Sequence, residues 1–381
     1  MPLLRNPKSR VVDVVMMLGA GAMTLLSSSV IGAESAAAAP LYFPASAARW
    51  ERVSPSQVGW DEAKLKAALE YAGKTRASGV VVLHRGRILG EQYWAPDQGA
   101  KAGKKAREYG ALLRGRDADG HAIEDVASVQ KSVVAILVGI AQHRGLLTLD
   151  DPVARHLVKG WSKATTEQEA AITVRHLVTM TSGLKDDLTF EAAAGTRWRY
   201  NTAAYGRLVP LVAAAANKTP NEFTREWLTG RIGMSDSRWV ERVLAGGEAA
   251  ANSVGFATSA RDLARLGLLI LAQGQWHNTS VIADRDYLRA ALRPSQTLNP
   301  SYGYLWWLNG QAEVARGDGQ RTKGPLISSA PADLVAALGA IDRKLYVVPS
   351  LDLVVTRLGN SAGPAFQNEF WKLLMAAAPK P

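Results

Sequence analysis

The sequence predicts an α+β protein whose sheet is interrupted by a long helical insertion. Segments with strand character occur near the start of the chain, from about residue 79 to 94, and return near its end, from about 302 to 357. Between them, the apolar residues have a spacing typical of helices. Early strands, a helical middle and late strands together indicate one sheet built from both ends of the chain.

The composition is that of a globular protein without thiol chemistry. Of 381 residues, 47% are hydrophobic, 21% are charged and none is cysteine. This excludes disulfides, a cysteine nucleophile and thiolate metal sites. The six histidines never occur at the spacing of metal ligands, which argues against a metal enzyme. We expect no cofactor. No G-x-S-x-G motif occurs, which argues against an α/β-hydrolase.

The formal net charge of the chain is +11. Residues 1–39 contribute a net +1, so an excess of about +10 lies in the main body. The lysines and arginines are scattered and form neither a stripe nor a known nucleic-acid motif. We therefore expect a solvated basic surface and no nucleic-acid partner.

Residues 1–39 have the three parts of a signal peptide. Positions 5–10 hold three basic residues, positions 14 to about 31 are apolar, and 36–39 are four alanines suited to cleavage. We expect a secreted or periplasmic protein with no stable membrane insertion after cleavage. The alternative is an uncleaved N-terminal anchor, although the serines at 27–29 dilute the apolar run.

The first strands are predicted to form a hairpin. Gly79–His84 and Ile88–Trp94 are strand-like and are joined by Arg85-Gly86-Arg87, a tight glycine turn. Lys101–Gly120 follows as a glycine-rich basic segment. Contact with an anionic surface and cover over a site stay open beside the simpler interpretation of a solvated loop.

The next segment, Val129 to Ala141, is predicted to be a helix. Its residues are apolar on nearly every face, which is typical of a buried helix. Ser128 stands at its start and Lys131 comes three residues later, so both side chains share one face. Burial favours a neutral amine, and a neutral amine can take a proton from a serine hydroxyl. The free N–H groups of the helix start can stabilise an oxyanion. The alternative is a serine cap beside a lysine that reaches solvent.

The rest of the chain continues with helices and ends with strands. Predicted helical segments are Leu146–Val153, Ile172–Leu184 closing on Gly183, Leu208–Ala216, Thr258–Leu271 and one around Phe370–Leu374. Predicted strands are Tyr302–Leu308, Leu334–Leu338, Leu345–Pro349 and Leu351–Arg357.

Five motifs in this order and spacing resemble the serine β-lactamase and penicillin-binding-protein superfamily. They are Ser128-Val129-Gln130-Lys131, Ile172–Leu184, Tyr200-Asn201-Thr202, Ala260–Arg265 and Tyr304–Trp307. The branch that looks most similar is that of the class C-related serine hydrolases, which include family VIII carboxylesterases and 6-aminohexanoate-dimer hydrolases. The resemblance runs from about Gly79 to the C-terminus.

The resemblance implies a β-lactamase/transpeptidase-like fold, in which an antiparallel sheet is flanked by helices and an all-helical domain is inserted. We expect residues 46–127 and 285–381 to form the sheet domain. Residues 128–284 would form the helical domain, with residues 1–39 as the signal peptide. The active site would lie between the sheet and the helical domain.

The resemblance also implies roles for individual residues. Ser128 would be the acylated nucleophile, Lys131 its base, and Tyr200 the tyrosine of the second motif that moves protons to the leaving group. The oxyanion hole would use the backbone N–H of Ser128 and of Ala337. Three further residues are candidates for substrate binding: Thr202, Trp198 and Trp306.

Two departures from the family pattern bear on the substrate. The usual second motif is Tyr-x-Asn, whereas here Asn201 comes one residue early and Thr202 takes the third position. The usual Lys-Thr-Gly of the third motif is absent from the strand before Gly339. That motif normally holds the carboxylate of a β-lactam. The alternative in this chain is that Arg343 or Arg357 acts as a substitute clamp.

The favoured function is therefore an exported serine hydrolase that cleaves a small ester or amide through an acyl-enzyme. A β-lactamase or D-Ala-D-Ala-type peptidase is the alternative within the same chemistry, with a β-lactam-like substrate. A catalytically silent binding protein on this fold is the alternative from another class.

Overall fold

The fold is described by a computed structural model for residues 40–45, 49–95, 110–242, 253–316 and 319–380. Fourteen strands lie in these ranges. They are β1 Ala77–His84, β2 Arg87–Tyr93, β3 Leu113–Arg116, β4 Ala122–Asp125, β5 Arg238–Glu241, β6 Val254–Thr258, β7 Gln275–Trp276, β8 Thr279–Ser280, β9 Trp307–Leu308, β10 Glu313–Ala315, β11 Arg321–Lys323, β12 Val335–Gly339, β13 Arg343–Val348 and β14 Leu353–Gly359.

Eleven α-helices lie in the same part of the chain. They are α1 Glu62–Lys74, α2 Gln130–His143, α3 Thr166–Ala170, α4 Val174–Val178, α5 Thr202–Tyr205, α6 Leu208–Ala216, α7 Pro220–Thr224, α8 Gly230–Ile232, α9 Ala260–Leu271, α10 Arg285–Ala291 and α11 Phe366–Ala377. A π-helical turn, Arg225–Thr229, joins α7 to α8.

The main sheet has six antiparallel strands in the order β2-β1-β14-β13-β12-β9. Strands from the start of the chain thus pair directly with strands from its end, as the sequence predicts. Helices cover both faces of this sheet. Since side chains alternate along a strand, successive residues of one strand contact different helices. Thr356 of β14 bonds the Ala260 carbonyl of α9, whereas the neighbouring Arg357 lies over the Phe366 ring of α11.

The hairpin β1–β2 forms where the sequence predicts it. Its two turn residues, Arg85 and Gly86, have φ of 50° and 83°, the left-handed pair that the right-handed twist of a two-residue hairpin requires. A Cβ on Gly86 would also collide with the Tyr42 carbonyl. Glycine is therefore needed at this turn for conformation and for space.

The insertion between the two halves of the main sheet is mainly helical, and the structure refines the prediction of an all-helical domain. Strands β5 and β6 of this insertion pair with β3 and β4 in a second, four-stranded sheet of order β3-β4-β6-β5. The end of β4 leads directly into the turn before α2. This second sheet therefore positions the start of the central helix.

The helix predicted over Ile172–Leu184 is shorter in the structure, where only α4 is helical. Met180 and Gly183 have φ of 60° and 73°, which a right-handed helix does not allow. The Thr181 N–H donates back to the His176 carbonyl at 2.8 Å. The chain thus leaves the helix in a tight turn before the motif ends.

The predicted strand Tyr302–Leu308 and the predicted helix Leu146–Val153 are also wrong in extent. Only Trp307–Leu308 of the first segment is a strand, because Leu305 has φ 59° and donates its N–H to the Val178 carbonyl. In the second segment the Asp151 carboxylate closes a turn by accepting the Thr148 N–H at 2.9 Å.

The signal peptide over residues 1–39 and positions 101–109 of the basic segment lie outside the described residues. Of the rest of that segment, Leu113–Arg116 is strand β3. No helix of the described part of the chain is long and apolar enough to cross a membrane.

Candidate active site

A strained turn presents Ser128 between the sheets and the central helix. The 3-10 turn Ala127–Val129 precedes α2, and Ala127 has φ 49°, which is unusual for a residue with a Cβ. The Asp125 carboxylate accepts the Ala127 N–H at 2.9 Å and holds this conformation. Gly339 at the end of β12 packs so closely on the Val126 carbonyl that a Cβ would not fit. The turn is thereby fixed against the sheet.

Ser128 and Lys131 are in contact. The Lys131 Nζ lies 3.0 Å from the Ser128 Oγ and 3.3 Å from the Thr202 Oγ1. The Lys131 side chain is 1% exposed, whereas Ser128 is half-buried. The lysine therefore does not reach solvent, and the serine remains accessible to a substrate.

The surroundings of Lys131 disfavour its ammonium form. No carboxylate is bonded to the Nζ among the described residues, and the Tyr200 and Tyr205 rings, with centroids at 4.8 Å and 4.6 Å, offset only part of its lost hydration. Burial, reinforced by the positive charge of Arg242, lowers the pKa of Lys131 from 10.5 to about 7. Near neutral pH a large share of the molecules thus carries a free amine that can accept the Ser128 proton.

A buried ion pair, which sequence reasoning missed, supports both features. Arg242 binds Asp125 with two hydrogen bonds of 2.7 and 2.8 Å, and the two side chains are 5% and 0% exposed. Arg242 also donates to the Gln130 Oε1 at 3.0 Å. The same Asp125 carboxylate holds the Ala127 N–H, so this pair links the turn before Ser128 to the charge that acts on Lys131.

Tyr200 lies beside the catalytic pair, with its ring centroid 4.8 Å from the Lys131 Nζ that contacts the Ser128 Oγ. Burial raises the pKa of Tyr200 to about 12, and the Ser128 contact partly opposes this rise. The phenol therefore stays protonated at neutral pH. In this state it can donate a proton toward a group bound at Ser128.

The altered second motif has a structural explanation. Asn201 caps helix α5 by accepting the Ala204 N–H at 2.9 Å, and its amide donates to the carbonyls of Leu184 and Lys185. Thr202 is the residue whose hydroxyl contacts the Lys131 amine. The asparagine thus fixes the loop, while the threonine supplies the polar contact inside the site.

The predicted oxyanion donor on β12 needs correction. The Asn309 N–H donates to the Leu334 carbonyl at 2.9 Å, so Leu334 faces β9. Backbone groups alternate along an antiparallel strand, which directs the Ala337 N–H to the opposite side, toward Leu345 of β13. That N–H belongs to the sheet ladder. The Leu338 N–H points to the β9 side, beyond the part of β9 that pairs with β12.

The two tryptophans predicted to bind substrate have different surroundings. Trp306 is 0% exposed and lies in the hydrophobic core, so the prediction for this residue is wrong. Trp198 is half-buried, with its ring centroid 6.4 Å from Tyr200 and 6.2 Å from Trp307. Trp198 and Tyr200 together line a cleft of about 830 Å³.

The two arginines considered as substitute clamps do not reach the site. Arg343 and Arg357 are both 0% exposed. Arg343 forms an ion pair of 2.9 Å with Glu124, and Arg357 donates to the carbonyls of Thr75 and Asp342. Both are structural cations of the main sheet. Among the described residues no three His, Asp or Glu side chains cluster as around a metal ion.

Comparison with known proteins assigns the chain to a family. The family model described as Beta-lactamase matches residues 63–379. An uncharacterized protein of Alkalihalophilus pseudofirmus is 24% identical over 306 residues, which cover 74% of this chain and 84% of that protein.

Solved structures share the fold. A β-lactamase/D-alanine carboxypeptidase of Pseudomonas syringae is similar with a TM-score of 0.60 at 16% identity, over 84% of this chain and all of that chain (100%). A Bacillus anthracis protein assigned as a 6-aminohexanoate-dimer hydrolase gives a TM-score of 0.61 at 15% identity, over 88% of each chain. The chain therefore belongs to the β-lactamase family, whose fold is that of serine hydrolases of the β-lactamase and penicillin-binding-protein type.

Proposed function

We propose that the protein is an exported serine hydrolase that cleaves a small ester or amide through an acyl-enzyme on Ser128. The observation that carries this proposal is the buried Lys131 amine, 3.0 Å from the Ser128 Oγ and with a pKa lowered to about 7. A serine hydroxyl is a weak nucleophile until a nearby base can take its proton. Lys131 in its neutral form supplies that base.

In the acylation step the Ser128 Oγ attacks the substrate carbonyl while its proton passes to the Lys131 amine. The tetrahedral oxyanion accepts hydrogen bonds from the Ser128 N–H and from a backbone N–H at the open edge of β12, for which Leu338 is the candidate. The bond to the leaving group then breaks. The proton that Lys131 holds moves to the leaving oxygen or nitrogen through the Tyr200 hydroxyl, which takes up one proton as it gives one away.

In the deacylation step a water molecule attacks the ester formed on Ser128. Lys131 and Tyr200 take the proton from this water and return it to the Ser128 oxygen as the acyl bond breaks. The acid product leaves, and the enzyme regains its starting protonation. Each turnover therefore consumes one water and needs no other reactant.

The missing Lys-Thr-Gly supports esters over β-lactams as substrates. Losing a charge-assisted hydrogen bond to the β-lactam carboxylate costs about 1.5–3 kcal/mol, or roughly ten- to a hundredfold. A neutral ester loses nothing at that position. An alkoxide also needs less protonation than an amide nitrogen when it leaves, so esters depend less on the altered second motif.

Export is proposed from the signal-like residues 1–39, with a secreted or periplasmic location. N-terminal sequencing of the protein recovered from cell fractions tests this proposal. A start near residue 40 in the exported fraction supports it. An intact N-terminus in the membrane fraction would favour the uncleaved anchor.

The catalytic proposal is tested with a panel of p-nitrophenyl esters, linear amides and nitrocefin, together with a fluorophosphonate probe. We expect ester turnover and covalent labelling, both lost in Ser128→Ala with the thermal melting curve retained. Nitrocefin turnover above ester turnover would instead favour a β-lactamase. A protein that is neither labelled nor active would favour a silent binding protein.

A further inference from the structure

The cleft beside Tyr200 carries more cations than the proposed chemistry uses. Two segments line it, one around residues 186–200 and one from 298 to 321 around the hairpin β10–β11. Four of its lining side chains are arginines, and Trp198 and Tyr200 form its aromatic wall. We call these six residues the arginine cleft: Arg197, Arg199, Arg316, Arg321, Trp198 and Tyr200.

Two of the four arginines are already paired. Arg199 binds Glu191 with two hydrogen bonds of 2.8 and 2.6 Å, and its other carboxylate contact, Asp186, is at 3.6 Å. Arg321 binds Glu313 at 2.8 Å. These pairs fix the two guanidinium groups as parts of the wall.

The other two arginines have guanidinium N–H groups that are available to a ligand. Arg197 is 56% exposed, and its ion pair is a 3.4 Å contact to the Glu191 oxygen that Arg199 already holds at 2.6 Å. The exposed Arg316 guanidinium makes no hydrogen bond or ion pair with any described residue. Asp186 is the acidic residue among the described lining of the cleft, and it lies next to Arg199. Asp186, Glu191 and Glu313 face the four arginines among the described residues, so this part of the cleft keeps an excess of positive charge beside Tyr200.

We propose that this cleft binds a carboxylate carried by the leaving group of the substrate, an inference that rests on the proposed function. Tyr200, which lines the cleft, has its ring centroid 4.8 Å from the Lys131 Nζ, which itself lies 3.0 Å from the Ser128 Oγ, and would protonate the departing oxygen or nitrogen. The leaving group must therefore lie on the cleft side of the scissile bond. A guanidinium group matches a carboxylate with two parallel hydrogen bonds, and the Trp198 ring offers an apolar surface for the body of the group.

This site differs in place from the missing Lys-Thr-Gly. That motif would present its lysine and threonine from β12, whereas Arg197 comes from the residues before Tyr200 and Arg316 directly follows β10. The chain thus lacks the family's carboxylate clamp but has cations on another wall. It follows that a leaving-group anion directed toward this wall is favoured, whereas a β-lactam carboxylate directed toward β12 finds no cation on that strand.

The test compares 4-acetoxybenzoate, whose leaving group carries a carboxylate, with its neutral methyl ester. The ratio of their kcat/KM values is measured in the wild type, in Arg197→Gln/Arg316→Gln and in the control Arg52→Gln. Arg52 is 51% exposed and pairs with one carboxylate, Glu91, at the opposite edge of the main sheet. Because the ratio compares two substrates on one preparation, differences in folded fraction cancel.

We expect the ratio of the anionic to the neutral ester to fall about tenfold in the double variant, since each partly exposed ion pair contributes roughly 1.5- to 5-fold. Arg316→Glu should lower the ratio more than Arg316→Gln, because it adds a negative charge to the cleft. The ratio of the wild type should move toward the double-variant value at 0.5 M NaCl, and the ratio of Arg52→Gln should equal that of the wild type. Turnover of the neutral ester with an unchanged ratio would overturn the cleft assignment alone. Absence of turnover of both esters by the wild type would overturn the proposed function and this inference with it.

Discussion

The protonation of Lys131 sets the most direct test of the site. If the neutral amine is the base, lowering the pH through its pKa must remove activity, because the ammonium cannot accept the Ser128 proton. Replacing Lys131 by arginine keeps a cation at this position but removes the acceptor, since arginine stays protonated. Both changes act on one atom, the Nζ that lies 3.0 Å from the Ser128 Oγ.

The size of the pH effect follows from the lowered pKa. With a pKa of about 7, the amine is neutral in roughly half of the molecules at pH 7. The neutral share is roughly a tenth at pH 6 and nine tenths at pH 8. A lysine with the ordinary pKa of 10.5 would be neutral in roughly one molecule in three thousand at pH 7. Burial therefore raises the share of competent enzyme by about three orders of magnitude.

The assay is the hydrolysis of p-nitrophenyl acetate at constant ionic strength between pH 5 and 9. We expect kcat/KM to rise about tenfold from pH 5 to 6, to bend near pH 7 and to be level above pH 8. Lys131→Arg should lose a factor of about 10² or more at pH 8, where the wild-type amine is mostly neutral. A profile that is flat down to pH 5, or an arginine variant near wild-type activity, would refute the assignment of Lys131.

The same pKa makes a stability prediction that separates activity from folding. The unfolded lysine binds a proton up to pH 10.5, whereas the folded one loses it above about 7, so the unfolded state holds more protons in this window. The free energy of unfolding should therefore gain a positive slope between pH 7 and 10.5 from this residue. Lys131→Met should lose this contribution and all activity while keeping a melting temperature at or above that of the wild type.

Three further predictions concern the neighbours of Lys131 and the choice of substrate. Tyr200→Phe should lower kcat for an amide more than for an aryl ester, because the poorer leaving group depends more on the donated proton; equal losses would contradict this role. Arg242→Gln should move the bend of the pH profile upward, since Arg242 lowers the pKa of Lys131, and should lower thermal stability because Asp125 loses its partner. An unmoved bend in a folded Arg242→Gln protein would show that burial alone sets this pKa. Short-chain aryl esters should be cleaved with a higher kcat/KM than nitrocefin or ampicillin, which parallel assays on one preparation decide.

The elements that the sequence predicts correctly depend on neighbouring residues alone. The hairpin β1–β2 follows from two apolar runs around Arg85-Gly86, and α2 follows from an apolar stretch ended by Gly145. The contact of Ser128 with Lys131 follows from their spacing on one helix face. Such features need no knowledge of the rest of the chain.

The features that the sequence misses depend on distant partners. In the sequence Trp306, next to Trp307, looks like a cleft residue, but in the structure it is buried. The backbone turn before Trp306 is fixed by the Leu305 N–H, which donates to the Val178 carbonyl in another segment. The orientation of the Ala337 N–H depends on which neighbour β12 pairs with on each side. Neither pairing has a signature in the local sequence.

The site shows why a short motif gains its meaning only in the fold. The spacing of Ser128 and Lys131 is equally compatible with a cap and an exposed lysine, and it is burial of the amine in the folded protein that lowers its pKa. The cation that assists this shift, Arg242, is more than a hundred residues away in sequence, and Asp125 holds it in place. Because Asp125 also fixes the Ala127 turn, one buried pair couples the position of the nucleophile to the basicity of its partner.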